Sequence, residues 1–198
     1  MRVFVLRSLK GLTRNFEISE IRKSRMDIVA NCALNALMIS NAIRKDVKFI
    51  ACLDGPPSPP KAIIFEGERL KKIYPSEIGF LEVMSNALRE NLKNFECKEV
   101  HDGIIVCKKA WEHIVKELAQ QNFQLIYLDP KGKSFEEIEI RENVAIFLGD
   151  HIGLPKKSIK FLERFDVEKI SLGKVVYFAS QAILIMNYLL DKIYAPVV

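Results

Sequence analysis

Residues 144–148 read Val-Ala-Ile-Phe-Leu, a run with no polar side chain, and it limits the folds open to this chain more than any other stretch. Successive side chains of a strand point to opposite faces, so a strand that is apolar at every position must be covered on both. Strands of that kind belong to parallel sheets wrapped by helices. The rest of the chain agrees. Strand-like runs at residues 3–6, 47–53, 61–65, 104–107, 124–128 and 168–172 alternate with stretches of helical apolar spacing. These stretches lie at 26–44, after Ser76, around Trp111, and at 155–165 and 174–193. Ser76 can cap a helix whose Ile78, Leu81, Met84 and Leu88 share one face. The alternation predicts an α/β fold, a mostly parallel sheet with helices on both faces.

A chain of 198 residues, 49% of them hydrophobic, can bury a full core without staples, so one domain over 1–198 is expected. The cysteines Cys32, Cys52, Cys97 and Cys107 form no C-x-x-C pair, and His101, His113 and His151 lie far apart, which argues against a metal site. Arg2, Arg7 and Lys10 interrupt the first twelve residues, so no secretory core is present. A reducing cytoplasm is expected, where such cysteines pack as small hydrophobes. The apolar stretches 28–40 and 175–190 are broken by Asn31, Asn35, Gln181 and Asn187 and fall short of a bilayer span, so they are expected to be buried helices and no membrane is implied.

The net charge of +5 is unevenly placed. Residues 1–25 hold seven bases, Arg2, Arg7, Lys10, Arg14, Arg22, Lys23 and Arg25, against Glu17 and Glu20. Clustered cations of this kind suit a polyanion such as RNA, because phosphate contacts release condensed counterions. A solvated basic face would give the same pattern.

Ligands of parallel α/β sheets gather beyond the carboxyl ends of the strands. Three such ends stand out, at residues 127–130, 147–155 and 170–174, with Gly149, Gly153 and Gly173 in two of them. Glycine lets main-chain atoms approach a ligand or adopt φ > 0, which suits an adenine read by the backbone, although ordinary turns use it too. No G-x-G-x-x-G follows the first strand and no G-x-x-x-x-G-K-[ST] occurs, so dinucleotide and phosphate-loop chemistry lose support.

FLGDHIGLP at 147–155, ISLG at 170–173 ahead of a long apolar helix ending in LLDK at 189–192, SRMDI at 24–28 and LDGPPSPP at 53–60 stand in order along nearly the whole chain. Together they resemble the archaeal TrmY family, tRNA pseudouridine-54 N1-methyltransferases of the SPOUT superfamily related to the ribosomal-RNA methyltransferase Nep1. The resemblance implies a substrate-facing half over about 1–98. It also implies a trefoil-knotted cofactor half over about 99–198, a homodimer, and S-adenosylmethionine as methyl donor. Carried over residue by residue, the cofactor contacts fall on Leu128, Gly149, Gly153, Leu172, Gly173, Lys174, Val175, Val176, Tyr177 and Ala182. Two positions depart from the family, which often has serine at Gly173 and cysteine at Ala182. A sulfur side-chain role at 182 is therefore excluded here.

The resemblance also makes Arg25 and Asp27 the pair that faces the target nucleotide, with Asp27 to accept or orient the N1 proton and Arg25 to stabilise charge on the base oxygens. An aspartate at a helix start, paired with a neighbouring arginine, would equally serve the helix dipole. His151 is expected to stabilise its loop by a hydrogen bond, and Asp54 with its prolines to form a structural turn beside the pocket. A Nep1-like enzyme acting on small-subunit ribosomal RNA, a non-catalytic RNA-binding dimer and a nucleotide-binding regulator stay open as other readings.

Overall fold

A computed structural model describes residues 1–198. The strands are β1 Arg2–Ser8, β2 Met38–Ile39, β3 Ala42–Ile43, β4 Val47–Leu53, β5 Lys61–Glu66, β6 Cys97–His101, β7 Ile104–Cys107, β8 Gln124–Ser134, β9 Val144–Gly149 and β10 Glu168–Ser171. The helices are α1 Ile21–Ser24, α2 Met26–Leu37, α3 Glu77–Ala87, α4 Trp111–Gln120, α5 Lys156–Leu162 and α6 Ala179–Ile193. Eight strands make one sheet in the order β10-β8-β9-β1-β4-β5-β7-β6. The five strands from β10 to β4 run parallel, and β5, β7 and β6 continue the sheet in antiparallel pairing.

The apolar run at 144–148 lies between β8 and β1 and is covered on both faces. Val144, Ile146 and Leu148 join one core with Phe4, Leu6, Phe49 and residues of α2, α3 and α6. Ala145 and Phe147 join the opposite core with Val3, Val5, Ile50 and residues of α4 and α5. Alternate residues of one strand thus feed two separate cores, which accounts for the absence of a polar side chain at all five positions.

Several boundaries differ from the sequence-based expectation, each for a local reason. The helix expected over 26–44 stops at Leu37, and residues 38–43 turn back as the β2-β3 hairpin around Ser40 and Asn41, with Asn41 at φ 61°. Asparagine tolerates the left-handed region that such a tight turn demands. The last helix begins at Ala179 rather than 174, because the β-branched and aromatic residues Val175, Val176, Tyr177 and Phe178 stay irregular and the Gln181 side chain accepts a hydrogen bond from Phe178 N. Ser76 does cap α3, accepting from Gly79 N, but Ile78 is exposed and Phe80 takes the buried place expected for it. Strand β6, absent from the sequence reading, pairs with β7 and sets Cys97 directly opposite Cys107. These two cysteines form a disulfide, correcting the expectation of four packed thiols, which Cys32 and Cys52 do meet.

The C-terminal helix is fastened to the start of the chain by buried polar groups. Asn187 Nδ2 donates to Asn35 O and Ala36 O, carbonyls in the last turn of α2. Asp191 receives Arg2 Nη1 at 2.5 Å and Arg44 Nη1 and Nη2 at 2.8 and 2.6 Å. Burial raises the Asp191 carboxyl, but the bonds from Arg44 and Arg2 outweigh it and hold the group below the ordinary carboxylate range. A carboxyl depressed in this way adds stability above its unfolded pKa, and that stability is lost as pH falls toward the folded value. Asp191→Asn is expected to cost about 3 kcal/mol at neutral pH, since it leaves the buried Arg44 guanidinium without a carboxylate and Arg2 with Asp46 alone. The deficit should shrink as pH falls from the unfolded aspartate value, about 3.9, toward the depressed folded one. Urea midpoints of both proteins, measured at neutral pH and across the acid range, check the size and the sign.

Candidate functional site

The strand ends of β8 and β9 and the chain beyond β10 converge at one end of the parallel half of the sheet. Between the pairs Tyr127–Lys169 and Lys133–Ile170, strand β8 leaves its ladder with β10, and residues 128–132 bulge out while β10 advances by one residue. Gly132 allows the return, because a Cβ there would lie 2.6 Å from Ile170 N and from Lys169 C and O. The turn after β9 folds tightly on itself. A Cβ on Gly149 would stand 2.2 Å from Gly153 C and 2.4 Å from Leu154 N, both backbone atoms that cannot give way cheaply. Asp150, almost wholly buried, holds this turn to β1. Its Oδ2 accepts from Ser8 Oγ at 3.0 Å, its Oδ1 from Ile152 N at 2.9 Å, and its own N–H donates to Arg7 O.

These turns share a cavity of about 200 Å³. Nine of the ten residues singled out for a cofactor line it, Leu128, Gly149, Gly153, Leu172, Gly173, Val175, Val176, Tyr177 and Ala182, while Lys174 is exposed and does not. Tyr127, Asp129, Leu148, Asp150 and Ala179 also face it. Burial, with the carboxylate of Asp129, raises the Tyr127 phenol, which stays a hydrogen-bond donor there. The walls are mainly aliphatic with a few convergent polar groups, a composition that suits a flat heterocycle with a polar appendage. Gly173 sits at φ +105°, with no atom within 4 Å of where a Cβ would project, so its bare backbone borders open space.

A second cavity of about 660 Å³ adjoins the first and shares Asp150, Gly153, Val176, Tyr177 and Ala179 with it. Arg25, Asp27, Ile28, Asn31, His151 and Phe178 complete much of its lining. Arg25 is the single left-handed residue between α1 and α2, at φ 56°, where its N–H closes α1 on Ile21 O. That kink turns its side chain toward Asp27, with Nε–Oδ1 at 3.2 Å and Nη2–Oδ2 at 3.3 Å. Two of the five guanidinium N–H donors are used this way, and the rest are free to meet a ligand.

Two expectations change, and a third, for Asp54, is met. His151 Nδ1 lies 3.7 Å from Asp150 Oδ1, too far for a hydrogen bond, and Asp150 stabilises the loop in its place. Asp54 accepts from Arg7 Nε at 2.7 Å and does not line the cavity, in keeping with the structural turn. The basic N-terminal cluster is largely neutralised internally. Arg2 pairs with Asp46 and Asp191, Arg7 with Asp54 and Glu112, Arg14 with Glu20, and Arg25 with Asp27, which leaves Lys10, Arg22 and Lys23 without a carboxylate partner. Lys10 and Lys23 flank a groove of about 570 Å³ that includes Ser24, adjacent to Arg25 in the chain. No group of three or more His, Cys, Asp or Glu side chains is placed to hold a metal ion.

Sequence reasoning missed Asp150 and Asn31. The one looked like part of a glycine turn, the other like a polar interruption of an apolar helix. The signal for Asn31 was its position four residues after Asp27, on the same helical face.

The family profile described as "Putative SAM-dependent RNA methyltransferase" matches residues 1–195. The tRNA (pseudouridine(54)-N(1))-methyltransferase of Pyrococcus abyssi is 32% identical, with 99% of this chain and all of the relative aligned. That of Thermococcus gammatolerans is 33% identical over the same shares. Among solved structures, Nep1 of Archaeoglobus fulgidus bound to S-adenosylhomocysteine matches with a TM-score of 0.66 at 15% identity, over 97% of each chain, a likeness of fold.

The crowding at Gly149 makes a direct test of the cavity. Gly149→Ala is expected to destabilise the protein by about 1–3 kcal/mol of overpacking. It should also weaken S-adenosylmethionine binding at least roughly tenfold, with thermal midpoint and calorimetric titration as the two measurements.

Proposed function

The chain belongs to the family of SAM-dependent RNA methyltransferases, and we propose that it methylates N1 of pseudouridine 54 in the T-loop of tRNA. The observation that carries this reading is the contact between two cavities. One is an aliphatic cradle built from three backbone turns, and the other is a larger polar chamber bearing Arg25 and Asp27, with Tyr177 and Ala179 in their common wall. The names of the aligned relatives support the substrate.

The residues of the first cavity fit an adenosyl ligand. Leu128, Leu148, Leu172, Ala179 and Ala182 supply an apolar slot, and the bare backbones at Gly149, Gly153 and Gly173 allow close approach. When bound, S-adenosylmethionine supplies an electrophilic methyl group on a sulfonium. The protein aligns the target nitrogen with that methyl, because orientation accounts for much of the barrier in a displacement. Pseudouridine offers a free N1–H, which must depart as the N–C bond forms and the S–C bond breaks. Asp27 accepts this proton at Oδ1 or Oδ2, and the free N–H groups of Arg25 stabilise charge on the base oxygens. The target base leaves its stack to reach the chamber, and Lys10 and Lys23 hold flanking phosphates in the neighbouring groove.

The reading takes residues 1–198 as one domain, supported by a single sheet whose strands run from Arg2 to Ser171. It includes a trefoil knot in the C-terminal half. The order of strands supports it: β9 inserts between β8 and β1, β10 returns outside β8, and α6 crosses back to pack on α2. It also includes a homodimer. Val175, Val176, Phe178, Leu184 and Tyr188 are exposed apolar side chains of the C-terminal helix and the segment before it, with Val176 79% and Phe178 75% accessible, a composition that suits a protein contact. The site of action is the cytoplasm, where tRNA is modified, and no helix is long and apolar enough to cross a membrane.

Two measurements test the proposal. Incubation of pseudouridylated tRNA with protein and S-adenosylmethionine, followed by mass spectrometry of T-loop nucleosides, should give N1-methylpseudouridine, and small-subunit ribosomal RNA fragments should stay unmodified. Asp27→Asn is expected to lower the single-turnover rate about 10²–10⁴-fold at saturating cofactor, and an unchanged rate removes the proton-acceptor role. For the dimer, Leu184→Lys combined with Tyr188→Lys should shift sedimentation from a dimer to a monomer. A wild-type monomer at micromolar concentration would refute that part of the proposal.

A further inference from the structure

Asn31 stands one helical turn after Asp27 on α2 and lines the chamber that holds Arg25 and Asp27. Its amide nitrogen has two protons, and both are engaged by the protein. One goes to Asp27 O at 3.0 Å, and the other to Glu77 Oε2 at 2.6 Å. Glu77 is the first residue of α3, behind the Ser76 cap, and it reaches across to α2. Turning the amide over would face Asn31 Oδ1 toward a carbonyl and a carboxylate, two acceptors with no proton to offer. The amide is therefore locked in one sense, with Oδ1 as a pure acceptor that no protein donor meets.

Asp27 and Asn31 thus present two acceptors from one helix face, with Cβ atoms about 5–6 Å apart as the helix geometry dictates. A pseudouridine ring carries two imino N–H groups, N1–H and N3–H, flanking the same carbonyl. On the reading that Asp27 faces N1, we propose that Asn31 Oδ1 accepts the N3–H of the target base, and that Glu77 is the positioning residue that keeps this acceptor turned inward. The pair then selects a ring with two imino protons. A cytosine-type edge, which has an acceptor at N3, meets oxygen lone pairs there, and so does any ring whose N3 proton is replaced. Leaving a polar group of the site unmatched is the strongest form of rejection available to a binding pocket.

The test compares tRNA T-arm substrates bearing pseudouridine or 3-methylpseudouridine at the target position, both of which retain the reactive N1–H. Wild-type protein is expected to prefer pseudouridine in kcat/KM by at least roughly a hundredfold. Asn31→Ala should lower the rate on pseudouridine by about tenfold or more and bring the preference close to unity. Glu77→Ala, which frees the amide to rotate, should lower the preference in part, and Glu77→Gln, which keeps an acceptor for Asn31 Nδ2, should restore most of it. A structural role alone lowers both substrates in parallel and leaves their ratio untouched, so an unchanged ratio in Asn31→Ala with retained cofactor binding overturns the proposal. Should Asn31→Ala fail to fold, the Glu77 pair carries the same comparison. A wild-type protein that methylates no pseudouridine overturns the functional reading itself, an outcome separate from an active enzyme with an unmoved ratio.

Discussion

The docking of α6 onto α2 is the interaction on which the rest of the site depends. Asn187 satisfies two carbonyls in the last turn of α2, and Asp191 joins Arg2 of the first strand to Arg44 just after the β2-β3 hairpin. These are buried polar contacts, costly to leave unmade, so they fix one register between the two helices where apolar packing alone would admit several. Asp27 and Asn31 ride on the first half of α2, and Ala179 and Ala182 ride on the first turns of α6. The clamp therefore sets the distance between the polar chamber and the aliphatic cradle from about one to three helical turns away.

The two halves of the sheet divide the labour. Five parallel strands run side by side, and the bulge in β8 and the chain after β9 and β10 line the cavities, as in open α/β sheets. The antiparallel extension through β5, β7 and β6 contributes no residue to either cavity. It builds width and carries α3, from which Glu77 reaches α2. Helices α4 and α5 cover the opposite face, where Trp111 packs edge-on against Phe147 and under the Arg7 guanidinium.

Much of this was legible in the residues, for reasons that also explain what was not. Strands β4 and β7 appear in the sequence at their true limits because their apolar runs are bounded by strong punctuation, Asp54-Gly55 in one case and Asp102-Gly103 in the other. Helix ends were less legible. The extension past Leu37 kept apolar character, and only the left-handed Asn41 betrayed the reversal. The three strand-end turns could be named because glycines mark two of them and because motifs along the chain resemble a known family. Their convergence needed the β8 bulge and the tight turn at Gly149, both products of long-range packing. The basic segment misled in part, since charge counted along a chain takes no account of partners such as Asp191, Asp46 or Glu112, which arrive from distant segments.

A sheet that does not close on itself leaves two bare margins, at β6 and at β10. Each could template the addition of another chain's backbone and so seed aggregates. At β6 the covalent link from Cys97 to Cys107 and the charged Lys98 and Glu99 resist such growth, and at β10 Glu168 and Lys169 do the same in a strand of only four residues. The large exposed apolar side chains Val176, Phe178, Leu184 and Tyr188 belong instead to the C-terminal helix and the segment before it, where any contact would be made through side chains and not through main-chain ladders.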